Sequence, residues 1–130
     1  MKMDKAAVYD NRFFTQLYRS DNDAMRKKIR AEKLRKEKYV STITIHELYN
    51  TSLAKEGREI AKLKVTYVKQ EFEIIPVNDQ ISQISAELRH KYHISMGDSM
   101  IASTAFVLKA VCITDDQHIK QIKEIETAWI

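Results

Sequence analysis

Acidic residues recur at comparable places along this 130-residue chain, each at or near the start of a helical pattern. Asp10 closes the apolar run Ala6-Ala7-Val8-Tyr9, and Glu47 stands early in the helical pattern behind Tyr39-Val40-Ser41-Thr42-Ile43. Asp98 lies three residues after Ser95, and Asp115 and Asp116 follow Val111-Cys112-Ile113-Thr114. In an open parallel sheet the carboxyl ends of the strands share one edge, where the crevice for ligands forms. Carboxylates gathered there repel, and their pKa values rise unless a divalent cation compensates. Oxygen-only donors suit Mg2+ or Mn2+, whereas zinc sites usually draw on Cys and His. One or two such ions activate water and steady the leaving oxygen in phosphodiester hydrolysis. Each acid alone has a plainer explanation, because helix N-termini favour acids. Thr44-x-x-Glu47 matches a capping box in full and Ser95-x-x-Asp98 matches one loosely. The recurrence, not any single acid, speaks for convergence.

The elements that must position these acids follow from the periodicity. Residues 6–9 read as a buried strand feeding a helix over 11–18. Asp21 and Asn22 can cap a second helix to about residue 36, with Met25, Ile29 and Leu34 as a thin apolar stripe on a surface helix. A second strand spans residues 39–43, and Ile45, Leu48, Tyr49 and Leu53 mark a helix that breaks at Gly57. Ile60, Leu63, Tyr67 and Val68 mark the next amphipathic helix, over 58–70, before a strand at 72–75. Asn78 caps a helix to about residue 92 that carries Ile81, Ile84, Ser85 and Leu88 on one face. A helix over 95–109, a strand at 111–113, a short helix over 116–122 and a strand near 127–130 complete the chain. This alternation predicts an α/β fold, a three-layer α/β/α sandwich on a central parallel sheet of four to five strands.

The composition, 44% hydrophobic and 31% charged, is enough for a packed core and too apolar for a disordered chain. One domain over residues 1–130 is expected, since a second core would not fit. Two glycines and one proline exclude the turn-dense all-β sandwich. Cys112 is the only cysteine, so no intramolecular disulfide forms, and no stretch is apolar for long enough to cross a bilayer. With no signal-peptide core at residues 1–5, a soluble, reducing, cytoplasmic setting away from membranes is expected. The net charge of +4 is modest, but basic residues crowd into positions 26–38. Such a run suits a phosphate backbone, or equally a solvated helix face.

Other chemistry-bearing residues read more simply. His46, His90, His93 and His118 are scattered, and His90 with His93 stabilises a helix C-terminus more readily than it binds zinc. Cys112, inside an apolar strand with no histidine motif beside it, reads as a buried, inert thiol. Arg12 either meets a substrate phosphate at the cleft rim or forms a surface ion pair. Tyr18, Tyr39, Tyr49, Phe13 and Phe14 could stack on bases, but at this spacing they read as core or interface.

The chain resembles the PIN domains, the nuclease fold that includes the VapC-type toxins of prokaryotic toxin–antitoxin pairs. The resemblance spans nearly the whole chain. It rests on Val8-Tyr9-Asp10, Ser41-Thr42-Ile43-Thr44-Ile45-His46-Glu47-Leu48, Met96-Gly97-Asp98-Ser99-Met100-Ile101-Ala102 and Ile113-Thr114-Asp115-Asp116, in that order. It implies that Asp10, Glu47, Asp98 and Asp116 bind the metal and carry catalysis, with Asp115 as the alternative fourth ligand. Thr114 would hold Asp10 or a metal-bound water, or would simply end its strand. Two departures stand out: Asn11 replaces the Ser or Thr that often follows the first aspartate, and the polar His46 precedes Glu47. An amide accepts the same hydrogen bonds as the hydroxyl it replaces. His46 either approaches the cleft or faces solvent. The activity implied is a Mg2+- or Mn2+-dependent endoribonuclease, the toxin of a type II pair, acting on RNA as a homodimer silenced by a small antitoxin. Two alternatives stay open: a non-catalytic nucleic-acid-binding or assembly module using the basic run, and an RNA-processing nuclease unrelated to toxicity.

Overall fold

The first strand, β1 (Ala7–Tyr9), sends Ala7 and Tyr9 into one apolar cluster and Val8 into another. The strand β4 (Val111–Ile113) divides Val111 and Ile113 from Cys112 in the same way. Successive strand residues face opposite sides, so both faces of this sheet are covered. The computed structural model describes residues 5–19 and 21–130. With β2 (Lys38–Ser41), β3 (Glu73–Ile75) and β5 (Thr127–Ala128), these strands form a five-stranded sheet in the order β3-β2-β1-β4-β5, every pairing parallel. That is the expected sandwich, at the upper end of its strand number.

One face is covered by α1 (Asn11–Arg19), α2 (Asp23–Lys33), α3 (Thr42–Glu56) and α4 (Arg58–Glu71), which bring Phe13, Phe14, Ile29, Leu48, Val65 and Val68 onto the sheet. Tyr9, Phe13, Phe14 and Phe72 meet there edge-on or tilted, with neighbouring ring centroids 4.7–5.4 Å apart. The other face holds α5 (Asp79–Tyr92), α6 (Met96–Leu108) and the single turn α7 (Gln117–Lys120). Ile101 and Ala105 of α6 and Ile119 of α7 pack against Val8 and Cys112. The helix α6 is buried nearly all round, and its small residues permit this: Ser99 meets Ser85 of α5 with 2.7 Å between the hydroxyls. Among the described residues no helix is long and apolar enough to cross a membrane.

Several expectations are corrected. The second strand stops at Ser41, because that side chain accepts a hydrogen bond from Ile43 N–H and caps α3, drawing β-branched Thr42 and Ile43 into the helix. Thr44 is therefore a helix-interior residue and not a cap; its hydroxyl is buried without a partner. The faces of α3 and α4 also differ. Leu53, Ile60 and Leu63 are exposed, while the fully buried Ala61 leads Val65 and Val68 inward, so α4 is turned by about one residue from the stripe of largest side chains. Leu34 lies beyond the end of α2 and is 83% exposed.

The basic run is not wholly a surface feature either. Arg35 is buried, donating to Glu32 Oε1 through Nε at 2.7 Å and to the Lys5 carbonyl at 2.7 Å, while the Tyr9 hydroxyl donates to the same Glu32 oxygen at 2.8 Å. Lys33 and Lys38 lie over the rings of Tyr67 and Phe72.

Candidate metal centre

Strand order turns outward from β1, to β2 and β3 on one side and to β4 and β5 on the other. The β1–β4 junction is thus the switch point at which open α/β sheets bind ligands. Register makes the site there. Tyr9 pairs with Ile113, so the next residues, Asp10 and Thr114, lie side by side at the two strand ends. Thr114 Oγ1 donates to Asp10 Oδ2 at 2.6 Å and accepts from Asp116 N–H at 3.0 Å, tying two acids to one hydroxyl. Asn11 contributes through its backbone N–H, 2.6 Å from Asp10 Oδ1.

The other acids arrive on helices. Glu47 sits in the second turn of α3, beyond the reach of any capping role, since the cap is Ser41. Asp98 stands in the first turn of α6, its N–H held by Ser95 Oγ at 3.1 Å. Asp116 caps α7, accepting His118 N–H at 2.8 Å. His118 Nδ1 lies 3.6 Å from Asp98 Oδ2 and 3.8 Å from Asp116 Oδ1. One donor atom from each of Asp98, Asp116 and His118 falls within 4.8 Å of the others. This corrects the reading of His118 as merely scattered. Asp116 follows its strand by a short turn into α7, and only that turn brings the imidazole back over the acids.

The electrostatics set these acids apart. Burial pushes the Asp10 carboxyl up to about 6, opposed by Thr114 and the Asn11 N–H and reinforced by the charges of Asp116 and Asp98. Glu47 is pushed up to about 7, chiefly by burial and then by Asp10 and Asp98. Asp98 is raised by burial and by Asp116, against Ser95 and His118. Each group thus feels its neighbours' charge in a partly dry setting, the condition a bound cation relieves. Asp115 differs, because Arg12 pairs with it at the exposed rim. Of the two roles read for Arg12, the ion pair is the one present here, and Asp116, not Asp115, is felt by Asp10 and Asp98.

The chemistry of the donors fits a divalent ion: Asp10, Glu47, Asp98 and Asp116 could offer oxygens, and His118 a nitrogen that Mn2+ would accept more readily than Mg2+. His46 is exposed, and His93 ends α5 in the left-handed conformation (φ 56°), donating its N–H to the Arg89 carbonyl. Cys112 is buried, with its thiol pushed well up by burial.

Residues 7–125 match the family model of the PIN domain, and the chain belongs to that family, whose members are generally divalent-metal-dependent nucleases. Among solved structures, the chain is similar to VapBC2 from Rickettsia felis bound to a DNA fragment from its promoter, at 18% identity and TM-score 0.81, covering 96% of this chain and 98% of that one. It is similar to DNA-bound VapBC from Salmonella typhimurium, at 18% identity and TM-score 0.77 over 96% and 98% of the two chains. VapBC-5 from Mycobacterium tuberculosis shares 20% identity, with TM-score 0.69 over 97% and 99%. A search of curated proteins gives no match.

Proposed function

We propose that this chain is a Mg2+- or Mn2+-dependent endoribonuclease, the toxin of a toxin–antitoxin pair, with Asp10, Glu47, Asp98 and Asp116 as its metal-binding and catalytic acids. The observation that carries the reading is the convergence of these carboxylates at the β1–β4 switch point, with Asp10 and Glu47 raised to about 6 and 7. When bound, the ion would supply an activated water and a counter-charge for the phosphate. Asp10, Glu47, Asp98 and Asp116 would hold it, with His118 beside Asp98 and Asp116, while Thr114 and Asn11 N–H fix the Asp10 carboxylate in place. A groove lined by Asn11, Thr15, Tyr18, Ser52, Lys55 and Lys64 begins one residue from Asp10 and offers a path for a single strand. Arg12 stands at the rim, where a phosphate could exchange for Asp115.

The antitoxin partner is supported by the company the fold keeps: the R. felis, S. typhimurium and M. tuberculosis neighbours are VapBC complexes. Exposed Leu53, Ile60 and Leu63 on α3 and α4 give apolar surface for an antitoxin or a second copy in a homodimer. For the binding-module alternative the basic run is divided: Arg35, Lys33 and Lys38 are engaged in packing, while Arg26, Lys27, Lys28, Arg30 and Lys36 are exposed.

The test is cleavage of a panel of structured and single-stranded RNAs in Mn2+, Mg2+ or EDTA. Metal-dependent cutting is expected, and Asp98→Asn should abolish it with the fold retained, because the change keeps the shape and removes a ligand charge. Undiminished cutting by the variant, or cutting in EDTA, would falsify the assignment.

A further inference from the structure

Gly97 is the second residue of α6, immediately before Asp98, and its backbone is not in the left-handed region, so helix geometry alone does not call for glycine there. A Cβ at this position would lie 2.7 Å from Glu47 Oε2 and 3.7 Å from Glu47 Cδ, and among the described residues outside its own turn of helix would meet nothing else within 4 Å. Real Cβ atoms do not approach an oxygen so closely. The residue that needs the space is therefore Glu47, one helix away.

We propose that Gly97 is a positioning residue of the metal centre: the volume left by its missing side chain is where the Glu47 carboxylate lies beside Asp98. This rests on the metal-dependent reading above and adds to it the means by which a long side chain from α3 is admitted to the first turn of α6. A smaller acid at position 47 would not need the gap, and a larger residue at position 97 closes it.

Stability and metal affinity then part ways. Alanine suits a helix better than glycine does, and the atom it would strike is the free end of a flexible side chain, which can swing aside at little cost. Swinging aside removes a ligand. A glycine required only for packing would instead lose stability on substitution, and an incidental one would change neither property.

The experiment measures Mn2+ binding by calorimetry and thermal unfolding without metal, on the full chain, for wild type, Gly97→Ala, Glu47→Ala and the double variant. Gly97→Ala should melt at or above wild type yet bind Mn2+ about tenfold more weakly, the scale on which supporting residues act on metal affinity. In the Glu47→Ala background the same change should cost nothing further, since its only obstacle is gone. Unchanged Mn2+ affinity in Gly97→Ala, an equal loss in both backgrounds, or a lowered melting point would each overturn the proposal. Absence of Mn2+ binding by wild type would instead bring down the nuclease reading, and this inference with it.

Discussion

Tyr9 and Asp10 are neighbours on one strand end, and they open onto two opposite treatments of a buried carboxylate. On the Tyr9 side, Glu32 is 5% exposed and receives the Tyr9 hydroxyl and the buried Arg35 guanidinium. On the Asp10 side, Asp10, Glu47, Asp98 and Asp116 lie together, and the basic side chains seen near them, Arg12 and His118, stand at the exposed rim. A carboxylate kept for architecture carries its counter-charge within the chain. The acids on the other side crowd their charge together, a condition that a bound cation would relieve.

The largest expected effect breaks the first arrangement. Arg35→Ala leaves Glu32 buried and uncompensated, a change that costs about 3–5 kcal/mol for buried pairs of this kind. Urea unfolding measures it, and a loss below about 1 kcal/mol would mean that the pair is worth no more than an exposed one.

Next in size is the pH response of the metal-free protein. Asp10 and Glu47 have folded pKa values of about 6 and 7, above their ordinary values of 3.8 and 4.5. The folded state therefore binds more protons than the unfolded state between about pH 4 and 7, so stability is greatest at the acid end and is lost as pH rises through the folded values. The melting point should fall on the order of 5 °C across that window, and saturating Mn2+ should remove the slope. A flat metal-free profile would erase the contrast between the two regions.

Glu47→Gln sharpens it by a smaller amount. At pH 8 and without metal, the variant should melt a few degrees above wild type, roughly half the pH effect, because a neutral amide ends the repulsion. The smallest effect belongs to Arg12→Ala. An exposed pair is worth roughly 0–1 kcal/mol, so stability should hardly move while RNA affinity drops and its salt dependence weakens.

The strands and the acids at their ends were legible because apolar runs and turn-to-helix transitions are local signals. Asp10, Asp98 and Asp116 stand where periodicity put them. Glu47 was legible by its place behind the second strand, and the competing capping-box reading of Thr44-x-x-Glu47 fails, because Ser41 takes the cap and leaves the glutamate three residues deeper in the helix. The inward turn of α4 could not be read, because fully buried Ala61 outranks the larger Ile60 and Leu63 through tertiary contact alone. Arg35 looked like surface charge, since nothing local announces that Tyr9 and Glu32 wait for it. The placement of His118 over Asp98 depends on the packing of α7 against α6, again a distant contact.

The hydrogen bond from Thr114 to Asp10 spans 104 positions of sequence. During synthesis, Asp10 is made early and stays without this partner until β4 has been added and docked beside β1. The acidic edge is thus assembled by the last quarter of the chain, in a single step that brings in Thr114, Asp116 and His118 together. A nascent or truncated chain ending before β4 has the first strand but no centre, so whatever the edge does begins only once β4 and α7 have been made.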